Sequence, residues 1–139
     1  MENLGLNPDF WRDRSVFLTG HTGFKGGWLA LWLSQLGAKV HGYSLTPPTD
    51  PSFFNETNLC EYLCSSVTAD IRDLSALQAA MKRSEPSIIF HMAAMSLVRE
   101  SYEWPVSTFT TNVVGTINVL EAARATDGVA AIVNVTSDK

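Results

Sequence analysis

Residues 15 to 27 read Ser-Val-Phe-Leu-Thr-Gly-His-Thr-Gly-Phe-Lys-Gly-Gly, a short apolar run that breaks into glycines at 20, 23 and 26. The pattern is that of a buried strand turning at once into a helix. Gly20 lets the chain turn sharply off the strand, Gly23 lets the backbone close on a pyrophosphate, and Gly26 lets the helix pack tightly on the strand. The helix N-terminus offers unpaired N–H groups and partial positive charge to an anion, and Trp28 to Leu36 continue as an apolar, helix-forming segment. A glycine-rich turn also serves ordinary strand-to-helix connections, so the loop by itself leaves both readings open.

The length of 139 residues suits one domain, and 45% hydrophobic with 17% charged residues describes a globular chain. A net charge of −4 argues against a nucleic-acid surface, whose footprint is basic. Apolar runs fall well short of the roughly 20 residues a spanning helix needs. The start, with Glu2, Asn3 and Asp9, lacks the form of a signal peptide, so no membrane partner and a cytoplasmic location are expected. Cys60 and Cys64 stand four apart without further Cys or His ligands nearby. Two reduced core thiols and no metal site are expected.

Strand-like runs at Val16 to Thr19, Val40 to Tyr43, Ser66 to Ala69, Ile88 to Met92 and Ala131 to Val135 alternate with helical segments. Four of them are apolar with little polar alternation, as in parallel strands buried on both faces. The pattern predicts an α/β, Rossmann-type, doubly wound parallel sheet in the order 3-2-1-4-5, with the glycine loop at the carboxyl end of the first strand. Thr-Pro-Pro-Thr-Asp-Pro-Ser, between Leu45 and Asn58, predicts a long exposed loop. Asp73 caps a helix, and Pro105 to Thr126 form a longer one that ends at Asp127-Gly128.

Seven motifs now stand in order: Thr-Gly-His-Thr-Gly-Phe-Lys-Gly (19 to 26), Gly-Tyr-Ser-Leu-Thr-Pro-Pro-Thr (42 to 49), Asp-Ile-Arg-Asp (70 to 73), Phe-His-Met-Ala-Ala (90 to 94), Leu-Val-Arg-Glu-Ser-Tyr (97 to 102), Thr-Asn-Val-Val-Gly-Thr (111 to 116) and Val-Thr-Ser-Asp-Lys (135 to 139). Together they resemble the extended short-chain dehydrogenase/reductase family, and within it the sugar-nucleotide 4,6-dehydratases. The resemblance implies a tightly bound NAD and CDP-glucose as substrate. It implies that hydride leaves C4 of the glucosyl unit, water is lost across C5 and C6, and hydride returns to C6.

The same resemblance puts Gly20, Thr22, Gly23, Phe24 and Lys25 around the pyrophosphate, with His21 in the loop near the phosphates, and Asp70 with Ile71 at the adenine. It adds Ser44, Phe90, Met92, Ala93, Ala94 and Asn112 to the cofactor site. Each has a plainer reading. Asp70 could cap the helix that follows. Ala93 and Ala94 permit close backbone approach to a cofactor at the end of the fourth strand, but small residues also simply pack. His91, in a buried run, reads as a satisfied core histidine rather than a ligand. The dinucleotide fingerprint calls for an acid some 20 positions beyond the glycines, yet the second strand ends Gly42-Tyr43-Ser44-Leu45. Ser44 bonds a ribose hydroxyl less strongly than a carboxylate, and no Lys or Arg between 41 and 50 pairs a 2′-phosphate, so NAD stands.

Ser137, Asp138 and Lys139 fall where the family orients the 4-hydroxyl and places the acid and base of dehydration. Most such enzymes have Glu where Lys139 stands. A lysine abstracts the C5 proton only as the neutral amine, so it requires a lowered pKa or serves in positioning. Asp138 has to stay protonated to donate to the leaving C6 oxygen. Without the resemblance the three read as a strand end entering a turn. The family also needs a Tyr and a Lys four residues apart, and Tyr43, Tyr62 and Tyr102 have no such Lys. The chain therefore reads as the cofactor-binding, amino-terminal part of a longer enzyme, inactive alone and without the second, nucleotide-sugar domain. An NAD-dependent sugar-nucleotide epimerase is a rival that lacks Asp and Lys after the Ser; a non-catalytic dinucleotide-binding module is another. The apolar helix from Pro105 to Thr126 suits a subunit contact, and a homo-oligomer is expected.

Overall fold

A computed structural model of the chain describes residues 7–136. Its elements run α1 (Pro8–Trp11), β1 (Ser15–Thr19), α2 (Phe24–Gln35), β2 (Lys39–Ser44), α3 (Phe53–Glu56), a 3₁₀ turn (Leu59–Tyr62), β3 (Ser65–Thr68) and α4 (Leu74–Ser84). After β4 (Ile88–His91) come α5 (Val98–Glu103), α6 (Pro105–Phe109), a π-helical segment (Thr110–Val114), α7 (Gly115–Arg124) and β5 (Ala131–Asn134). The strands form one five-stranded sheet in the order β3-β2-β1-β4-β5. Every pairing is parallel, with Val16 opposite both Val40 and Ile88.

Both faces of β1 are covered because its residues alternate between two apolar layers. Val16 and Leu18 pack with Val40, Ile88, Ala30 and Leu33 on the α2 side. Phe17 packs with Tyr43, Ile89, Leu77, Met81 and Val119 on the α4 and α7 side. Continuous apolar runs rather than alternation follow directly from this double covering. α4 begins at Asp73, whose carboxylate accepts from the Ala76 N–H at 3.0 Å, and closes at Glu85 in the left-handed conformation.

Four expectations change. β5 is an edge strand whose residues are all exposed, so its apolar run is not buried on either face here. Cys60 and Cys64 are exposed rather than core thiols. Cys60 lies within the 3₁₀ turn and Cys64 just beyond it, and the turn's inward residue is Leu59 at 0% exposure. The stretch between Leu45 and Asn58 is not loop throughout: Ser52 accepts from the Asn55 N–H at 3.2 Å and starts α3. Phe53 then stacks on Trp28 with ring centroids 4.7 Å apart. The long helix is continuous from Pro105 to Arg124 but widens into π geometry at Thr110–Val114.

The fit of α2 on β1 depends on Gly26, where a Cβ would overlap the Gly20 carbonyl oxygen. Gly128 is a useful contrast, with φ +85° and open space around it. Gly26→Ala is expected to lower unfolding free energy by about 3 kcal/mol through backbone overpacking. Gly128→Ala is expected to lose only about 1 kcal/mol, the penalty of a left-handed conformation. Urea unfolding of both variants measures the difference, and equal losses would contradict the packing at Gly26.

Candidate functional site

The glycine loop joins the carboxyl end of β1 to α2. Gly20 holds φ +82° and donates its N–H to the Tyr43 carbonyl at 2.9 Å. A Cβ on Gly20 would stand 2.8 Å from the Ala93 nitrogen and 2.9 Å from the Met92 carbonyl carbon, so the exit of β4 lies directly against the loop. Gly23, by contrast, has φ −77°, and a Cβ there would have only the Gly20 oxygen, at 3.4 Å. Its lack of a side chain therefore serves open space in front of the helix. Gly23 caps α2 without a side-chain hydrogen bond, and the first turn carries no acid. The leading N–H groups of that turn and the positive helix end are thus left to face an anion, beside exposed Phe24 and Lys25.

Thr22 ties the loop to β2. Its hydroxyl donates to the Leu45 carbonyl at 2.9 Å, so the contact at 2.8 Å with Ser44 is one in which the Ser44 hydroxyl donates. Ser44 keeps its lone pairs but has no hydrogen left to give. His21 turns its ring inward. It is 0% exposed, its Nε2 lies 2.7 Å from the Ser66 hydroxyl, and its ring meets Phe54 edge-on. Gly42 makes room for it, since a Cβ there would stand 2.5 Å from the imidazole. The His21 ring is therefore turned away from a ligand on the loop. The ring's Nδ1 is buried without a partner, and burial lowers the pKa to about 4.

Farther along, Asp70 does not cap α4, which Asp73 does. Its carboxylate instead accepts from the backbone N–H of Arg72 at 2.9 Å and pairs with the Arg72 guanidinium at 2.7 Å. These bonds to Arg72 lower its pKa. Ile71 is buried beneath Gly115, so a ligand at this point meets its backbone. Phe90 and Met92 pack toward the α2 side. Ala94 is exposed and Ala93 half-buried at the exit of β4. The Asn112 amide is spent on Met95: Nδ2 donates to its carbonyl at 2.9 Å, and Oδ1 accepts from its N–H at 2.8 Å. His91 is a satisfied core histidine, 3% exposed, with Thr19 at one ring nitrogen and Thr116 at the other.

Gly20 to Lys25, Ser44, Asp70, Ile71 and the β4 exit thus gather at the carboxyl ends of the strands, around the point between β1 and β4 where the strand order reverses. Ligands of open parallel sheets bind at such a point. Ser137, Asp138 and Lys139 lie outside the described residues. Sequence reasoning overlooked Thr19 and Thr116. The available signals were a polar residue closing a buried run and a hydroxyl four positions after Asn112. A groove of about 520 Å³ along α2, lined by Trp28, Leu29, Leu31, Trp32, Gln35 and Met92, has no charged group to receive a phosphate. Among the described residues no helix is long and apolar enough to cross a membrane, and no cluster of three metal-ligating side chains occurs.

Residues 17–138 match the family described as GDP-mannose 4,6 dehydratase. The chain is 48% identical over 134 residues to a CDP-glucose 4,6-dehydratase of Salmonella typhimurium, a match covering 96% of this chain and 37% of that protein. It is 34% identical to GDP-mannose 4,6 dehydratase 2 of Caenorhabditis elegans, covering 83% of this chain and 32% of the relative. Among solved structures, the UDP-glucose-4-epimerase of Stenotrophomonas maltophila, with bound NAD and formylated UDP-arabinopyranose, superimposes with a TM-score of 0.76 at 27% identity. That match covers 90% of this chain and 37% of the epimerase. The chain spans about a third of the length of the curated relatives it matches.

The buried His21 gives the loop a pH dependence with a defined sign. Unfolded, the imidazole takes its proton near 6.5; folded, only near 4. Its share of stability is complete above pH 6.5 and is lost as pH falls toward 4, up to about 3 kcal/mol. His21→Asn, which carries no titratable group, is expected to flatten this part of the slope. Unfolding free energies at intervals from pH 4 to 7 measure it, and an unchanged slope would contradict the buried neutral imidazole.

Proposed function

We propose that this chain, which belongs to the GDP-mannose 4,6-dehydratase family, forms the NAD-binding part of an enzyme that dehydrates CDP-glucose to CDP-4-keto-6-deoxyglucose. The observation that carries the reading is the uncapped N-terminus of α2, held open by Gly23 and set against the β4 exit by Gly20. That cradle fits a pyrophosphate: it offers N–H donors, an unopposed helix dipole and no side chain in the way. The choice of CDP-glucose over other sugar nucleotides is supported by 48% identity to the Salmonella enzyme against 34% to the nematode GDP-mannose enzyme.

An NAD held by the glycine loop would supply the hydride-accepting and hydride-returning chemistry for oxidation at C4 and reduction at C6 of the glucosyl unit, either side of the loss of water across C5 and C6. The chain's own residues bind and orient. The loop from Gly20 to Lys25 holds the pyrophosphate, and the Asp70 carboxylate with the Ile71 backbone meets the adenine. Ser44, with its hydrogen committed to Thr22, accepts from a ribose hydroxyl and has nothing to donate to a 2′-phosphate. This supports NAD over NADP. Ser137 orients the 4-hydroxyl, Asp138 protonates the leaving C6 oxygen, and Lys139 positions the C5 region or removes its proton as the neutral amine. Proton removal from the 4-hydroxyl falls to the family's Tyr and Lys, a pair at four-residue spacing that residues 1–139 do not contain.

Gly23→Val places a branched side chain where the pyrophosphate belongs, yet φ −77° and the free space at that position suit a side chain. Isothermal titration should therefore show NAD+ affinity reduced by about a hundredfold or more, roughly 2.7 kcal/mol, in a variant that still unfolds cooperatively. Unchanged affinity would reject the site. Residues 1–139 alone are expected to bind NAD+ without forming the 4-keto product from CDP-glucose. Removal of a positioned base alone typically costs about a hundred- to ten-thousand-fold in rate. A chromophoric assay of the ketone checks this, and product from the bare chain would overturn the division of labour.

A further inference from the structure

Between β1, β4 and α7 lies a chain of buried and half-buried polar groups in which every hydrogen can be assigned. The Thr19 hydroxyl accepts two backbone N–H groups, from Met92 at 3.0 Å and Ala93 at 3.1 Å. A hydroxyl has two lone pairs, and both are spent. Its own hydrogen therefore points at His91 Nδ1, 2.7 Å away. On the other side, the Thr116 hydroxyl donates to the Asn112 carbonyl at 2.6 Å, so toward His91 Nε2, at 2.9 Å, it accepts. The two ends demand the same imidazole independently: neutral, bare at Nδ1 and protonated at Nε2.

This ordered chain grips the Met92–Met95 segment at both ends. Thr19 holds the Met92 and Ala93 amides, and Asn112, whose carbonyl receives Thr116, clamps Met95 through both atoms of its side-chain amide. With a pyrophosphate on the glycine loop and the adenosine directed to Ser44, Asp70 and Ile71, the other half of a dinucleotide crosses to this segment.

We propose that His91 is a positioning residue: as the Nε2–H tautomer it couples the end of β1 to α7 and fixes the Met92–Met95 backbone against which the nicotinamide half of the cofactor lies. The inference rests on the NAD reading above. It goes beyond a core histidine because it assigns the proton and predicts which half of the cofactor feels the change. His91→Phe fills the space without either hydrogen bond, and Thr116→Val leaves the imidazole in place but removes the acceptor at Nε2 together with the hydroxyl's bond to the Asn112 carbonyl. His91→Gln retains one acceptor and one donor.

The test compares NAD+ with ADP, which carries adenosine and pyrophosphate but no nicotinamide half. Isothermal titration is expected to show NAD+ affinity about tenfold weaker in His91→Phe and in Thr116→Val, with ADP affinity unchanged. His91→Gln is expected to recover part of the loss. Nitrogen-15 spectra of the unmutated protein should show a pyridine-like Nδ1 and a pyrrole-like Nε2 at His91. Equal weakening of both ligands, or of neither, would overturn the positioning role, and the opposite tautomer would overturn the proton assignment. Should His91→Phe not fold, the Thr116→Val comparison decides. An unmutated protein that binds neither NAD+ nor ADP would instead defeat the NAD reading and the loop's role with it, whereas the tautomer spectrum tests the hydrogen-bond chain independently of any ligand.

Discussion

Three backbones meet at Gly20, and the rest of the site depends on that meeting. Gly26 brings the first turn of α2 onto the Gly20 carbonyl, while the Cα side of Gly20 faces Met92 and Ala93 as they leave β4. No side chain fits between these segments. The helix therefore starts close to the strand end, its dipole aimed at the crevice between β1 and β4. The same device recurs at smaller scale where Gly42 yields to the His21 ring and Gly115 yields to Ile71, which seats α7 over the Asp70–Ile71 turn. Glycines thus set the distances among elements that the apolar layers merely hold together.

Around that junction the buried hydroxyls have their hydrogens committed in one direction. Ser44 gives to Thr22, which gives to Leu45, while Thr19 gives to His91 and Thr116 to Asn112. A buried polar group without a partner costs about 1–3 kcal/mol, so such chains resist rearrangement and hold their loops before any ligand arrives. Donors remain free where they are useful, on the first turn of α2. The exception is His21 Nδ1, enclosed without a partner.

The architecture was legible in the sequence because parallel strands buried on both faces leave uninterrupted apolar runs, and Val16 to Thr19, Val40 to Tyr43 and Ile88 to Met92 are such runs. The strand order 3-2-1-4-5 and the place of the glycine loop follow. Periodicity fails where one residue decides. Leu59 takes the inward position of the 3₁₀ turn and leaves Cys60 outside, and Ser52 supplies a cap that starts a helix in a stretch dominated by prolines. At the site, the positions of Gly20 and Gly23 at the strand-to-helix turn could be read, but not the engagement of the Asn112 amide with Met95, nor the direction of His21, which depends on the absence of a side chain at Gly42, a contact 21 residues along the chain. Nor could the Thr19–His91–Thr116 chain be read, since its partners come from three elements. Asp70 shows the limit clearly, because a choice between cap and adenine ligand omitted its salt bridge to Arg72.

The proposed site has a dinucleotide lying across the carboxyl ends of β2, β1 and β4, anchored at the start of α2. Amide chemical shifts recorded while NAD+ is added test it residue by residue. Perturbations are expected at Gly20–Gly26, Ser44, Asp70–Ile71 and Met92–Met95, with the amides of α6 and of α4 beyond its first turn unmoved. No perturbation at millimolar NAD+, or one centred on the apolar groove of Trp28 and Trp32, would contradict it.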